Sequence, residues 1–439
     1  MERAARGFVT RHADGPTVTT PLRIAEVIAV GSELLGSHRV DTNSLFIAER
    51  LSGIGIDLRA KAVVGDDQGR IADLCRQALS RADLVVLTGG LGPTDDDLTR
   101  EAVAQVLQLP LVEDAAISAA IERRFARRGL QMPAINRRQA NVLEGATVLD
   151  NPHGTAPGQV VERGGKVIVL LPGPPRELQP MLHALCDGML GARAGKERTF
   201  RATLFITGRS ESHVEEAVQP IYSAWRLSEP PIETTILATP GQIELHLSLR
   251  SADAAAAETI LNNARDRLAS VLGADVFSTD GRFMEQIVGD LLRTRHLTLA
   301  AAESCTGGLL LSRLTDVPGS SSYVRGGAVL YSNEMKTSVA GVPGALIAAH
   351  GAVSEPVAIA MAEGIRERTG ADVAVGITGI AGPGGGTPQK PVGTVAVAVV
   401  APGGSVRVRT FSFPGGRAQV KFHATQGAMD MVRRALQGL

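Results

Sequence analysis

The chain has 439 residues, enough for about two to four domains of ordinary size, and 44% of them are apolar but only 3% aromatic, so its cores rest on Ala, Val, Leu and Ile. Forty-five Lys and Arg balance forty-five Asp and Glu; that neutrality disfavours a nucleic-acid partner, and no apolar run is long enough for a membrane span. Cys75, Cys186 and Cys305 are too few for a disulfide framework and lack metal-ligand spacing, which fits a reducing, cytoplasmic compartment.

Residues 1–21 contain Arg and Thr without an apolar stretch and read as a frayed leader, not a signal peptide. Residues 23–30 then form a strand ending at Gly31. Asp41, Thr42 and Asn43 supply N-cap chemistry for a helix with Leu45, Ala48 and Leu51 inward. A strand over 56–64 leads to Gly65-Asp66-Asp67, a helix over 71–79 follows, and 83–87 is an apolar strand. This alternation builds an open parallel sheet, with ligands expected beyond the carboxyl ends of the strands.

At that edge lies Thr88-Gly89-Gly90-Leu91-Gly92-Pro93-Thr94-Asp95-Asp96-Asp97-Leu98-Thr99, a glycine-rich loop whose three acids are expected to open a helix. Its backbone N–H groups suit a phosphate and its acids a hard cation such as Mg²⁺. The acids equally suit a plain helix N-terminus. Helices are predicted over 113–129 and 133–142, and a hairpin over 158–161 and 166–171 turns at Gly164-Gly165. The basic cluster Arg123, Arg124, Arg127 and Arg128 reads as a solvated face that could also meet a phosphate. His153 has no evident partner.

After residue 191 the texture changes to a small α+β unit: a strand at 201–207, a helix near 211–218, strands at 232–238 and 242–250, and a helix at 252–272. It carries no acid pair, metal cluster or phosphate loop. A spacer or dimer-forming role suits it.

In the last third, a helix at 283–292 precedes a strand that runs into Glu303-Ser304-Cys305-Thr306-Gly307-Gly308 and a helix beginning at Leu309. Free N–H groups at such a junction suit an anion or oxyanion, or Thr306 simply caps the helix. A strand over 323–331 ends at Tyr331-Ser332-Asn333, and Lys336 falls in the first turn of the next helix. There a neutral lysine base is tolerated as well as a surface lysine. Strand 372–377 opens into the long loop Thr378-Gly379-Ile380-Ala381-Gly382-Pro383-Gly384-Gly385-Gly386, which can wrap a ligand. Two more strands and a helix carrying Arg417 and Lys421 end the chain.

Thr88–Thr99 resembles the Thr-Gly-Gly-x-Gly-x-x-x-x-Asp-x-Thr signature of the molybdopterin-binding fold, shared with molybdopterin adenylyltransferases. Together with Gly31-Ser32-Glu33-Leu34-Leu35, Asp41-Thr42-Asn43 and Leu171-Pro172-Gly173-Pro174-Pro175-Arg176-Glu177, it resembles the CinA (competence/damage-inducible) family. Ala302–Gly308, Tyr331-Ser332-Asn333 with Lys336, and Gly379–Gly385 resemble the C-terminal CinA domain. The resemblance implies an α/β protein in three parts. Residues 22–190 form a mostly parallel molybdopterin-binding-type sheet, 191–278 a KH-like α+β domain without the GXXG loop of KH modules, and 279–439 an α/β amidase domain.

For the first part the resemblance implies metal-dependent hydrolysis of ADP-ribose to AMP and ribose 5-phosphate. Asp66 and Asp97 are then catalytic and candidate ligands of Mg, Mn or Co, and Gly89, Gly90, Gly92 and Thr94 bind substrate. For the last part it implies cofactor-free hydrolysis of the carboxamide of nicotinamide mononucleotide (NMN), releasing ammonia. Ser304 is then the nucleophile and Lys336, aided by Tyr331, its base. The oxyanion falls to Thr306, Gly307 or Gly308, and Thr378, Gly379, Gly382, Gly384, Gly385 and Arg417 bind substrate. Cys305 ranks behind Ser304 for want of a histidine partner. Lys421 stands where the family usually has arginine, which keeps the charge but loses bidentate phosphate geometry. A cytoplasmic homodimer of pyridine-nucleotide salvage is the expectation. The alternatives are a first domain that only binds a pterin or nucleotide, and a non-enzymatic partner in DNA uptake or recombination.

Overall fold

The computed structural model describes residues 20–37 and 39–439; nearly all of the expected leader lies outside the described residues. The chain divides into two compact units, one running to Thr199 and including Arg250–Ala254, the other holding Phe200–Leu249 and Ala255–Leu439.

The first unit contains β1 (Ile24–Val30), α1 (Asn43–Gly53), β2 (Asp57–Val64), α2 (Gln68–Arg81), β3 (Leu84–Thr88), α3 (Thr99–Leu107), β4 (Leu111–Glu113), α4 (Ala115–Ala126), β5 (Asn141–Leu143), β6 (Thr147–Leu149), β7 (Gly158–Arg163), β8 (Lys166–Leu171), α5 (Pro175–Asp187) and α6 (Met189–Arg193). Its main sheet has the order β2-β1-β3-β8-β7-β6, parallel from β2 to β8 and antiparallel across β7 and β6. Every residue of β3 is buried, as a strand covered by helices on both faces requires. One face packs Val27, Val86 and Val169 against Ile47, Leu51 and Leu178. The other packs Ile28, Val85 and Leu87 against Ile71, Ala102 and Val103.

The second unit contains β9 (Arg198–Ile206), α7 (Glu211–Tyr222), β10 (Glu233–Thr239), β11 (Gln242–Ser251), α8 (Ala254–Leu272), β12 (Val276–Ser278), α9 (Met284–Thr294), β13 (Leu299–Glu303), α10 (Leu309–Thr315), β14 (Val324–Val329), α11 (Asn333–Ala340), α12 (Gly344–His350), α13 (Glu355–Thr369), β15 (Val373–Gly379), β16 (Thr394–Val400), β17 (Val406–Ser412) and α14 (Arg417–Gln437). A four-stranded sheet, β10-β11-β9-β12, has its own core around Leu204, Leu245, Leu247 and Leu268. A five-stranded sheet, β14-β13-β15-β16-β17, places β13 between two parallel neighbours. Its start is pinned by Asp372, whose Oδ2 accepts from Thr298 N (2.8 Å) and Thr298 Oγ1 (2.7 Å). Helix α14 covers one face and α13 the other.

Two predicted helices differ. Residues 134–140 form a 3-10 segment, in which Asn136 Nδ2 donates to Gln139 Oε1 (2.9 Å) in place of a continued apolar stripe. The three acids do not open a helix: α3 begins at Thr99, and Asp97 instead turns back on Thr94. Helix α13 was not anticipated, although Ser354 and Pro356 at its start and left-handed Gly370 at its end are ordinary helix punctuation. Among the described residues no helix is long and apolar enough to cross a membrane.

Candidate active sites

In the second unit, β13 delivers Glu303 and Ser304 at the carboxyl edge of the sheet. The Glu303 side chain is fully buried and accepts from Gly308 N (3.0 Å), Leu310 N (3.1 Å) and Leu311 N (3.0 Å), so a carboxylate caps the short α10. Gly307 N donates to Ser304 O (3.1 Å). The N–H groups of Gly307 and Gly308 are therefore occupied, while those of Cys305 and Thr306 have no partner among the described residues. Those two are the donors left for an oxyanion. Of the three expected donors, only the Thr306 N–H is unoccupied among the described residues, with the Cys305 N–H unoccupied beside it.

Ser304 is 6% exposed and Lys336, on α11, 2%. Lys336 Nζ lies 3.1 Å from Ser304 Oγ, 3.0 Å from Leu330 O and 3.4 Å from Tyr331 O. Burial lowers its pKa from the ordinary lysine value. A neutral amine has two N–H groups and one lone pair. In that form the carbonyls of Leu330 and Tyr331 would take the two N–H groups, leaving the lone pair for the Ser304 hydroxyl. The contribution of Tyr331 to this group is its carbonyl; its side chain is 60% exposed, and its hydroxyl accepts from Arg417 Nη2 (2.8 Å).

Arg417 Nη1 also donates to Gly382 O (2.8 Å), tying the start of α14 to the long loop. Lys421 reaches the nucleophile turn, its Nζ 3.6 Å from where a Cβ on Gly307 would stand. Gly384 and Gly385 are exposed in the loop. Thr378 is buried and its hydroxyl donates to Ala352 O (2.8 Å), an internal contact. Cys305 faces Gly379, where a Cβ would come within 3.0 Å of Sγ, and burial pushes its thiol up to about 11. Such a thiol is a weak nucleophile near neutral pH.

In the first unit, Asp66, Gly89, Gly90, Gly92, Thr94 and Asp97 line one cavity of about 580 Å³. Gly89 and Gly90 adopt left-handed backbone (φ 94° and 64°); a Cβ on Gly89 would collide with Val30 O and one on Gly90 with Thr99 Oγ1. Gly89 N donates to Leu171 O (3.0 Å), whereas the N–H groups of Gly90, Leu91 and Gly92 have no partner among the described residues. The buried Arg100 holds Leu91 O (2.7 Å) and Gly92 O (2.9 Å). Because a trans peptide points its N–H opposite its carbonyl, the Gly92 N–H is turned away from Arg100.

Asp66 Oδ2 accepts from Ser32 N (2.8 Å), and Asp97 Oδ2 from Thr94 N (2.9 Å) and the Thr94 hydroxyl. Asp95 is 98% exposed on its side chain and pairs with Arg138 Nη1 (2.7 Å). Among the described residues no three His, Cys, Asp or Glu are grouped to hold a metal by themselves. The oxygen-only donor set suits a hard cation, and the Asn43 Oδ1 in the cavity wall is buried without a partner. Asp66 and Asp97 are the residues that would hold a hard cation such as Mg²⁺ here.

Sequence reasoning missed Glu303 as the helix cap, Arg100 as the loop clamp and Asn43, whose Nδ2 donates to Gly173 O (2.7 Å). Asn43 sits in a motif already singled out, so its polar neighbours were the available signal.

The family model of the CinA C-terminal domain matches residues 282–436, and the model described as "Probable molybdopterin binding domain" matches residues 26–191. A CinA-like protein of Koribacter versatilis (strain Ellin345) is 46% identical over 417 residues, 94% of this chain and 100% of its own. A CinA-like protein of Acidobacterium capsulatum is 45% identical over 417 residues, again 94% and 100%. Among solved structures, the competence/damage inducible protein CihA of Agrobacterium tumefaciens is 37% identical and covers 35% of this chain and 93% of its own, with a TM-score of 0.34.

Proposed function

The chain belongs to the CinA family, and from that premise we propose that it hydrolyses two pyridine-nucleotide derivatives, the carboxamide of NMN in the second unit and the diphosphate of ADP-ribose in the first. The buried pairing of Ser304 Oγ with Lys336 Nζ at 3.1 Å carries the amidase assignment.

Neutral Lys336 takes the Ser304 proton as Oγ attacks the carboxamide carbon. The oxyanion forms against the N–H groups of Cys305 and Thr306, each such donor being worth about 10²–10³ in rate. Lys336 returns the proton to the amine nitrogen, the C–N bond breaks and ammonia leaves an acyl-Ser304. A water then loses a proton to Lys336 and attacks the acyl carbon. Oγ departs with that proton, releasing the nicotinate product and restoring both groups. Arg417, Lys421 and the Gly382 loop stand where they can bind the phosphoribosyl part.

In the first unit, Asp66 and Asp97 would hold a divalent cation, which supplies charge neutralisation of the diphosphate and an acidified water. The chain's own contribution is positional: the N–H groups of Gly90, Leu91 and Gly92 meet phosphate oxygens, and Thr94 fixes the Asp97 carboxylate.

The deciding experiment is ammonia release from NMN by the wild type, Ser304→Ala and Cys305→Ala. Activity that survives Ser304→Ala but not Cys305→Ala moves the nucleophile to the thiol, and a wild type that releases no ammonia ends the amidase assignment.

A further inference from the structure

The first unit holds a second cavity, of about 620 Å³, that none of this chemistry uses. Arg124 lies in the last turn of α4, Arg127 is its C-cap, and Arg128 follows; all three line the cavity above an apolar floor that includes Ile117 and Ile121. Arg127 and Arg128 are exposed at its rim, and Asp150 is the one carboxylate among the lining residues. Arg124 Nη1 donates to Pro152 O (3.0 Å), but the side chains of Arg127 and Arg128 have no partner among the described residues.

The two cavities adjoin. Thr155 lines both. Asn151, in the wall of the arginine cavity, donates from Nδ2 to Glu177 Oε2 (2.8 Å), which lines the glycine-loop cavity. Thr155 and the Asn151–Glu177 hydrogen bond thus form the common wall past which a ligand on the glycine loop would extend to reach the arginines. In the reaction proposed above, the loop N–H groups and a cation held by Asp66 and Asp97 would serve the diphosphate. Unpaired guanidinium forks beyond them suit a second, separate phosphate, whose oxygens match their planar donor geometry.

We propose that the arginine cavity is an anion subsite of the N-terminal site, taking a phosphomonoester that the substrate carries in addition to its diphosphate. The preferred substrate class is then a phosphorylated ADP-ribose over ADP-ribose itself. This rests on the diphosphate-hydrolase assignment made above.

The test compares KM for ADP-ribose and for its 2′-phosphorylated form, using the full chain with Mn²⁺, in the wild type and in the double variant Arg127→Gln/Arg128→Gln. Arg124 is kept because it also holds the Pro152 carbonyl. The expected KM ratio is at least about tenfold in favour of the phosphorylated form in the wild type, from charge-assisted hydrogen bonds, and about one in the double variant. Equal KM values in the wild type, or a preference that survives both substitutions, overturn the subsite. If neither compound is hydrolysed, the hydrolase assignment fails and equilibrium dialysis of the same two compounds decides. Tighter binding of the phosphorylated form that is lost in the double variant supports the subsite, and equal binding overturns it.

Discussion

Ser304 and Lys336 are buried, whereas Asp66 and Asp97 are half-buried in the wall of a wide cavity, each with one oxygen tied to a backbone N–H. Burial disfavours the charged form of Lys336 and lowers its pKa from the ordinary lysine value. On the proposed function, the aspartates would act on a diphosphate only through a cation that they hold. One site would then carry its reactivity in its own side chains, while the other would supply a geometry for groups that arrive with the ligand.

Four measurements press on that contrast. The largest effect is expected for Ser304→Ala, which should lower kcat for ammonia release by about 10⁴-fold or more, as removal of an activated serine does, and should leave ADP-ribose hydrolysis in place. Next, EDTA should abolish ADP-ribose hydrolysis and spare ammonia release. Asp97→Asn should reduce the former by about 10²-fold at fixed Mn²⁺. Loss of both activities on chelation would erase the distinction between the sites.

The pH profile is the third. Lys336 must be neutral to accept a proton, and its pKa lies below the usual lysine value. Ammonia release should therefore rise with pH, approaching about tenfold per unit below that pKa, and level off above it. A rate flat from acid to base would remove Lys336 as the base. The smallest effect is assigned to Glu303→Gln, whose one amide oxygen replaces two carboxylate oxygens and whose NH2 group would oppose at least one of the three N–H donors. It should cost about 1–3 kcal/mol of stability by denaturant unfolding, with a smaller loss in kcat than Ser304→Ala.

Much of both sites was legible because it depends on chain-local chemistry. Glycines at Gly89, Gly90 and Gly92, and a Ser-Cys-Thr-Gly-Gly turn after a buried strand, announce backbone conformations that few other residues allow. The positions of Ser304, Lys336, Asp66 and Asp97 followed from those motifs together with the family resemblance. What stayed hidden was decided across the sheet. Whether Gly308 N–H is free depends on the direction of the Glu303 side chain, and whether Tyr331 acts through its phenol depends on Arg417, 86 residues away. That the Thr378 hydroxyl donates to Ala352 O could likewise not be read from the chain, because the partner lies on a neighbouring loop. Helix α13 escaped because its small residues, Ala358 and Ala362, give a weak amphipathic signal while permitting close packing on β15.

Arg100 has a consequence for binding thermodynamics. With its guanidinium buried beneath the glycine loop and bonded to two successive carbonyls, the loop is shaped before any ligand arrives. The entropy of ordering the loop is then lost during folding rather than at association. Removal of that clamp should make ligand binding more enthalpic and less entropically favourable in calorimetry, because the loop would then order only around its guest.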